Sequence, residues 1–424
     1  MCLTTTKRKA LSMIFSLLVV ALSTLASLYY KLSGYAQLFM IMLLAVTLLI
    51  PFFSKSKSAK IICVPKITVL LFLMAICVLH NNSRLKAINT ATTVILFITS
   101  IFMVWLSKYQ DKDWLGNALL FSKGVYMFYA LYTIGMYFMP QLFRITLMLF
   151  PSNMLVLTQQ YSQGCMPGFT NHYSTNGMLV GMAVVLWGCV MFFNGNRKTY
   201  KIWFAISLIA LLLTGKRAHI LFSCAALFFA YYAYMSNRRK TRLVRTFGIL
   251  IGVLVGVYII ANYIPALAVF MTRFADTAES GDITLGRTQM WAIAFDLFLD
   301  NPLFGIGWGQ FIHRNIHEWN AHNIYVQLLC ETGIIGFTFF VCFFVYSLFS
   351  AWKAMIRIRK YGRHDDSGAL YLMISIAVQF FFLMYGFTGN PLYDKEMYLP
   401  YFIACTIPGW IRQNCAMDNE LKGD

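Results

Sequence analysis

The sequence predicts an all-α, polytopic membrane protein with about twelve transmembrane helices. Three observations carry that prediction. The 424 residues are 59% hydrophobic and only 12% charged, more apolar surface than a soluble fold can hide. Apolar runs of about 20 residues, the length that crosses the hydrocarbon core, recur along the chain. The loops between them alternate between basic and basic-poor, the pattern that sets topology.

The candidate spans cover about 11–30, 35–53, 62–80, 88–107, 118–140, 176–194, 200–214, 218–236, 246–264, 324–350, 368–388 and 398–412. The first follows Lys7-Arg8-Lys9 and lacks a small-x-small cleavage site, so it reads as a retained signal anchor. Pro65-Lys66 interrupts the third, and the last is short. The polar stretches are brief, so residues 1–424 read as one integral membrane domain. The exception is a long extracytoplasmic loop at 265–323, before the tenth span.

An inside N-terminus puts 23 of the 35 basic residues in cytoplasmic segments, including Arg238-Arg239-Lys240 and Arg357, Arg359 and Lys360. Both termini are then cytoplasmic. Basic loops beside an anionic leaflet account for most of the net charge of +19, so no nucleic acid partner is implied. The ten cysteines show no CxxC pair or metal-ligand spacing and fall mostly within apolar runs, where Cys behaves as a small hydrophobe.

The basic residues that break this pattern point to a site. Lys216-Arg217 lie in a tight outer turn, Arg287 lies in the long outer loop, and six of the seven histidines map to the outer side. Interfacial snorkelling explains one such residue readily. Together they favour an anionic substrate handled at the outer leaflet. Within the long loop, GRTQMWAIAFDLFLD places Met290, Trp291, Ile293, Ala294, Leu297 and Phe298 near one helical face. Asn301-Pro302 then stops the helix, and Gly305, Gly307 and Gly309 make a turn. This is a candidate lid or substrate platform.

Before the sixth span, Asn171, His172, Ser174, Thr175 and Asn176 are bunched. Helix capping uses one or two of them. The surplus amide and ring groups of Asn171, His172 and Asn176 suit sugar hydroxyls. The tenth span opens with His322-Asn323, carries Glu331 and continues through Gly333 and Gly336. Glu331 lies roughly 13 Å deeper than His322 by helical rise, too far for contact. An acid at that depth needs a partner. Glu331, Gly333 and Gly336 are therefore expected to anchor this helix, the glycines by close helix approach.

His322-Asn323, nine residues, Gly333, two residues and Gly336 resemble the His-Asn/Ser/Gln-x9-Gly-x-x-Gly signature of O-antigen ligases, which share a superfamily with Wzy-type polysaccharide polymerases. Arg217-x-x-x-Leu221 resembles that family's Arg-x3-Leu motif, and GRTQMW resembles its Gly-Arg…Trp element. The likeness is dense over about 165–340, and the motifs keep the family order. It implies a GT-C-like membrane glycosyltransferase of the bacterial cytoplasmic (inner) membrane, acting on its extracytoplasmic face. The implied donor is an oligosaccharide on undecaprenyl diphosphate, and the acceptor is a polysaccharide hydroxyl. Membrane lipid, a flippase and a chain-length regulator are the implied partners.

The residues fit that chemistry. A departing diphosphate gains negative charge, which Arg217, Arg287 and Lys216 can stabilise. His322 has a side chain that titrates near neutrality and suits general-base work on the acceptor, with Asn323 beside it as a further sugar or acceptor contact. Backside attack would invert the anomeric centre. No cofactor is expected. Outer carboxylates such as Asp282, Asp394 and Glu396 are scattered, so no metal is implied. A polymerase and a ligase differ only in the acceptor, with the polymerase slightly favoured. A flippase or transporter of the same lipid is the reading from another class, but no internal repeat supports it.

Overall fold

Hydrocarbon offers no partner to a backbone N–H or C=O, so a chain crossing it satisfies those groups within helices. The computed structural model describes residues 5–25, 114–194, 197–235, 287–361 and 367–420, with isolated positions between 244 and 256. Among the described residues every regular element is helical. They are α1 (Thr5–Thr24), α2 (Trp114–Phe138), α3 (Pro140–Leu149), α4 (Met154–Ser162), α5 (Tyr173–Phe193) and α6 (Lys198–Leu213). Then come α7 (Arg217–Tyr234), α8 (Arg287–Asp300), α9 (Phe311–Arg314), α10 (Ile324–Tyr361), α11 (Ser367–Tyr385) and α12 (Lys395–Glu420).

Helices α5, α10 and α11 are long and apolar enough to cross a membrane. The first, fifth, seventh, eighth and twelfth predicted spans overlap α1, α2, α6, α7 and α12. Spans 35–53, 62–80 and 88–107 lie outside the described residues, and 246–264 retains only isolated helical positions.

The core is built around α5, which is buried continuously from Asn176 to Val190. It packs against α2, α6, α7 and α11, while α10 packs against α11, α12 and α8. A helix apolar on every side belongs in such a place.

Helix ends sort into two layers. Thr133, near the end of α2, exchanges hydrogen bonds with Asn176 in the first turn of α5. Met166 donates to the Leu213 carbonyl at the end of α6, 3.0 Å, and Ile324 at the start of α10 donates to Gly386 just past α11, 2.8 Å. At the opposite end, Arg359 Nη1 donates to the Ala233 carbonyl at the end of α7, 2.6 Å. Helix α3 and the segment Pro151–Ser162 are bent by 109°. They leave α2 and return to α5 at the same end, so this pair does not cross the bundle.

Helix α10 breaks at Gly333, where φ is 64° and ψ is −174°. The break frees the carbonyls of residues 330 and 331 and the N–H groups of residues 334 and 335. The Gly-rich turn takes all four. Ile306 donates to Cys330 (3.0 Å) and Gly307 to Glu331 (2.9 Å), while Ile334 donates to Pro302 (2.9 Å) and Ile335 to Leu303 (3.4 Å). The two backbones touch: a Cβ on Gly333 would lie 2.3 Å from the Leu303 carbonyl oxygen, and one on Gly305 would lie 2.4 Å from the Glu331 carbonyl carbon.

This corrects the expectation of helix–helix approach at the two glycines. Gly333 admits the 302–307 backbone, not a neighbouring helix. A Cβ on Gly336 would meet Thr332 of its own helix at 2.5 Å.

Candidate active site

The layer that holds the Thr133–Asn176 pair also gathers the charged side chains. Arg287 opens α8, and Lys216 is the N-cap residue of α7, with Arg217 next in the chain. His172 is the N-cap residue of α5, and His322 precedes α10. Four separate elements therefore deliver the cluster.

Lys216 is central. Its Nζ lies 4.5 Å from the centre of the Tyr173 ring, and the His172 ring lies 4.8 Å from that same ring. Its stem runs over α5, where a Cβ on Gly177 would approach Lys216 Cγ to 3.0 Å. Its charge is felt at His172, at His322 and at Asp394.

His322 stands in the field of Arg287 and Lys216. Partial burial and then those two cations pull its imidazole down to about 4, so at neutral pH it is uncharged. His172 is likewise held down to about 4, by burial first, then Lys216 and His322. Its Nδ1 accepts the Ser174 N–H at 3.1 Å, which leaves Nε2 carrying the proton in the neutral ring. One imidazole is thus fixed as a donor through Nε2, and the other is free to accept. Desolvation lowers the Arg287 pKa, while Tyr385 and Tyr173 oppose that shift.

Backbone geometry aims His322. It sits at φ 50°, the left-handed region that non-glycine residues rarely enter. Asn323 holds the next turn: its Oδ1 accepts the N–H groups of Tyr325 (3.0 Å) and Val326 (3.2 Å). The side-chain oxygen predicted to contact an acceptor therefore caps α10.

Asn176 is also corrected. It is fully buried, and its Nδ2 donates to Thr133 Oγ1 and the Met166 carbonyl, both at 2.9 Å. It braces the fold and does not face a sugar. Asn171 lies nearby, its carbonyl accepting from Asn153 Nδ2 at 3.0 Å.

Glu331 is buried at the break in α10 and accepts from four donors. Gly309 N–H (2.7 Å) comes from the turn before α9 and Phe311 N–H (3.1 Å) from the first residue of α9. Gln327 Nε2 (3.0 Å) comes from its own helix, and the Tyr393 hydroxyl comes from the α11–α12 loop. Hydrogen bonds to a charged acceptor are the strong ones, and four of them offset part of the cost of burial. Glu331 therefore ties three segments of this layer together.

Sequence reasoning missed Asp394. Its Oδ2 accepts the Tyr385 hydroxyl at 2.8 Å, Tyr385 interacts with Arg287, and Asp394 interacts with Lys216. Burial raises its carboxyl to about 7. The available signal was its position in the turn between the eleventh and twelfth predicted spans, on the same predicted face as His322. His219, next to the Lys216-Arg217 turn, packs its ring against Tyr385 at 4.9 Å, and neither ring nitrogen has a hydrogen-bond partner. Among the described residues no group of three His, Cys, Asp or Glu side chains is placed to hold a metal ion.

Residues 202–341, which carry Lys216, Arg217, Arg287 and His322, match the family model described as O-Antigen ligase. This stretch is similar to the O-antigen ligase family. It runs from the start of α6 through the Gly-rich turn and past the break in α10, so the matched stretch contributes three of the four elements that build the cluster. His172, the N-cap residue of α5, and Asp394, in the α11–α12 loop, lie outside the matched residues. No curated protein matches the chain.

Proposed function

We propose that this protein transfers an oligosaccharide from undecaprenyl diphosphate to a sugar hydroxyl on the extracytoplasmic face of the bacterial inner membrane. The reaction inverts the anomeric centre and needs no metal. The acceptor is a further lipid-linked repeat, which makes the protein a Wzy-type polymerase. Ligation to another acceptor is the second reading, and the family description favours it. The observation that carries the proposal is the convergence of Lys216, Arg287, His172 and His322 from four elements into one electrostatically coupled cluster.

The chemistry follows from that coupling. Lys216, Arg217 and Arg287 take the diphosphate, and preorganised cations stabilise the charge that grows on it as the sugar leaves. The same cations depress His322 in the free protein. A bound diphosphate neutralises them, so donor binding raises the basicity of His322 just when a proton must be taken from the acceptor hydroxyl. His172, donating through Nε2, and Asn171 orient sugar or acceptor oxygens. Glu331 and Gly333 hold the two backbones on which Arg287 and His322 stand, and Gly336 continues α10 beyond the break.

The test is transfer in vitro, with purified protein, a lipid-diphosphate oligosaccharide and EDTA. Wild type is expected to build a ladder of longer lipid-linked products that His322→Ala abolishes. Consumption only after a different acceptor is added would make the protein a ligase. No turnover with any acceptor, but movement of the lipid across vesicles unaffected by His322→Ala, would replace the enzyme with a transporter.

A further inference from the structure

Arg287 and His322 belong to different segments, yet one side chain spans them. Trp291 follows Arg287 by four residues on α8, so the two share a helix face. The Trp291 indole Nε1 donates to the Ala321 carbonyl at 2.9 Å. That carbonyl is half of the peptide bond leading into His322.

The preceding peptide is held from the other side. Ala321 N–H donates to Gln327 Oε1 at 3.2 Å, and Asn390 Nδ2 donates to that same oxygen at 2.7 Å. Gln327 Nε2 in turn donates to Glu331 Oε1 at 3.0 Å. Beyond His322, the Ile324 N–H is tied to Gly386 at 2.8 Å. A residue at φ 50° reverts to ordinary backbone unless its neighbours hold it. Of these ties, only the indole bond reaches α8.

We propose that Trp291 is a positioning residue: its indole N–H pins the Ala321–His322 peptide to α8 and thereby sets the distance between the imidazole and the Arg287 guanidinium. That His322 and Arg287 act on substrate rests on the function proposed above; the pinning itself does not. The charged and titratable groups coupled to His322 are Arg287 on α8, Lys216 at the α6–α7 turn and His172 at the start of α5. Behind them stand Tyr385 and Asp394, coupled to Arg287 and Lys216. Loosening the Trp291 bond changes the Arg287 contribution and leaves the others in place.

The experiment uses Trp291→Phe, which keeps an aromatic ring but loses the donor. Trp291→His places a ring N–H at the same point of the five-membered ring. Trp319→Phe, at an exposed tryptophan, is the control. The full-length protein in nanodiscs is read by NMR titration of the His322 imidazole without substrate, and by kcat and KM of transfer. In Trp291→Phe the His322 midpoint is expected to rise above about 4 by the part that Arg287 contributes, with burial and Lys216 still holding it below 6.5. The kcat is expected to fall roughly tenfold to a hundredfold, as small misplacements of a reacting group do, with donor KM little changed. Trp291→His and Trp319→Phe should keep the wild-type midpoint.

An unmoved midpoint in Trp291→Phe, or a kcat loss of equal size at every pH, would overturn the proposal and leave Trp291 as packing alone. If Trp291→Phe does not fold, a shifted midpoint in Trp291→His overturns it instead. If His322→Ala transfers normally while the Trp291→Phe midpoint shifts, the pinning stands and the base reading fails.

Discussion

Glu331→Gln changes one oxygen to an amide nitrogen at a site where every neighbour is a donor. In wild type Oε1 accepts from Phe311 N–H (3.1 Å) and Gln327 Nε2 (3.0 Å), and Oε2 accepts from Gly309 N–H (2.7 Å) and the Tyr393 hydroxyl. The best orientation of the glutamine puts its oxygen at Oε1 and its nitrogen at Oε2. The Tyr393 hydroxyl can rotate to accept, but the Gly309 N–H cannot. One buried donor is then orphaned at a cost of about 1–3 kcal/mol, and the surviving bonds lose their charge assistance. Removing a buried charge returns some desolvation energy, so a net loss of about 2 kcal/mol is expected. Thermal unfolding of the nanodisc-held protein measures it, with Glu331→Ala expected to lose more. Transfer activity should fall with Glu331→Gln because the Gly-rich turn that follows α8 loses its Gly309 bond to α10. A variant as stable and as active as wild type would refute the role of Glu331 as the tie between the Gly-rich turn and α10.

Other substitutions test the remaining parts. Gly333→Ala combines a left-handed backbone with a 2.3 Å collision against the Leu303 carbonyl and is expected to cost roughly 3 kcal/mol or more, read as loss of folded protein or a lower Tm. Arg287→Lys keeps the charge but loses the planar fork; donor affinity should weaken by roughly tenfold in a binding titration, and a matching affinity would show that only net charge matters. For kcat/KM, which reports the free enzyme, an acid limb is expected near the His322 value of about 4, and Lys216→Met should move it upward because one depressing cation is gone. Stability should follow the same groups. His172 and His322 are depressed from 6.5 to about 4, so the folded state holds their protons more weakly than the unfolded chain. Their contribution is present above 6.5 and is lost as pH falls towards 4, measured as a fall in Tm that Ala substitution of both histidines removes.

Much of this protein is legible in its sequence because lipid imposes a severe length and polarity rule. Span-length apolar runs mark α5, α10 and α11, and the polar punctuation around Arg287–Asp300 marks α8 between Arg287 and Asn301-Pro302. The motif residues Lys216, Arg217, Arg287 and His322 stand out because they fall on the predicted outer side, against the basic-inside pattern.

What the sequence left undecided has a common physical cause: partner choice. Asn176 and Asn323 look like ligand-binding amides until Thr133, Met166 and the first turn of α10 are seen to take them. Gly333 looks like a helix-packing glycine until the 302–307 backbone occupies it. Glu331 and Asp394 are isolated acids in the chain, and only tertiary contact supplies three of the four donors of one and the Tyr385 hydroxyl of the other. Composition and periodicity determined that this chain is helical, membrane-embedded and cationic at a few points on its predicted outer side. The tertiary structure decided which of those points meet, because partners far apart in the chain, such as Thr133 for Asn176 and Tyr393 for Glu331, are fixed by packing and by no local pattern.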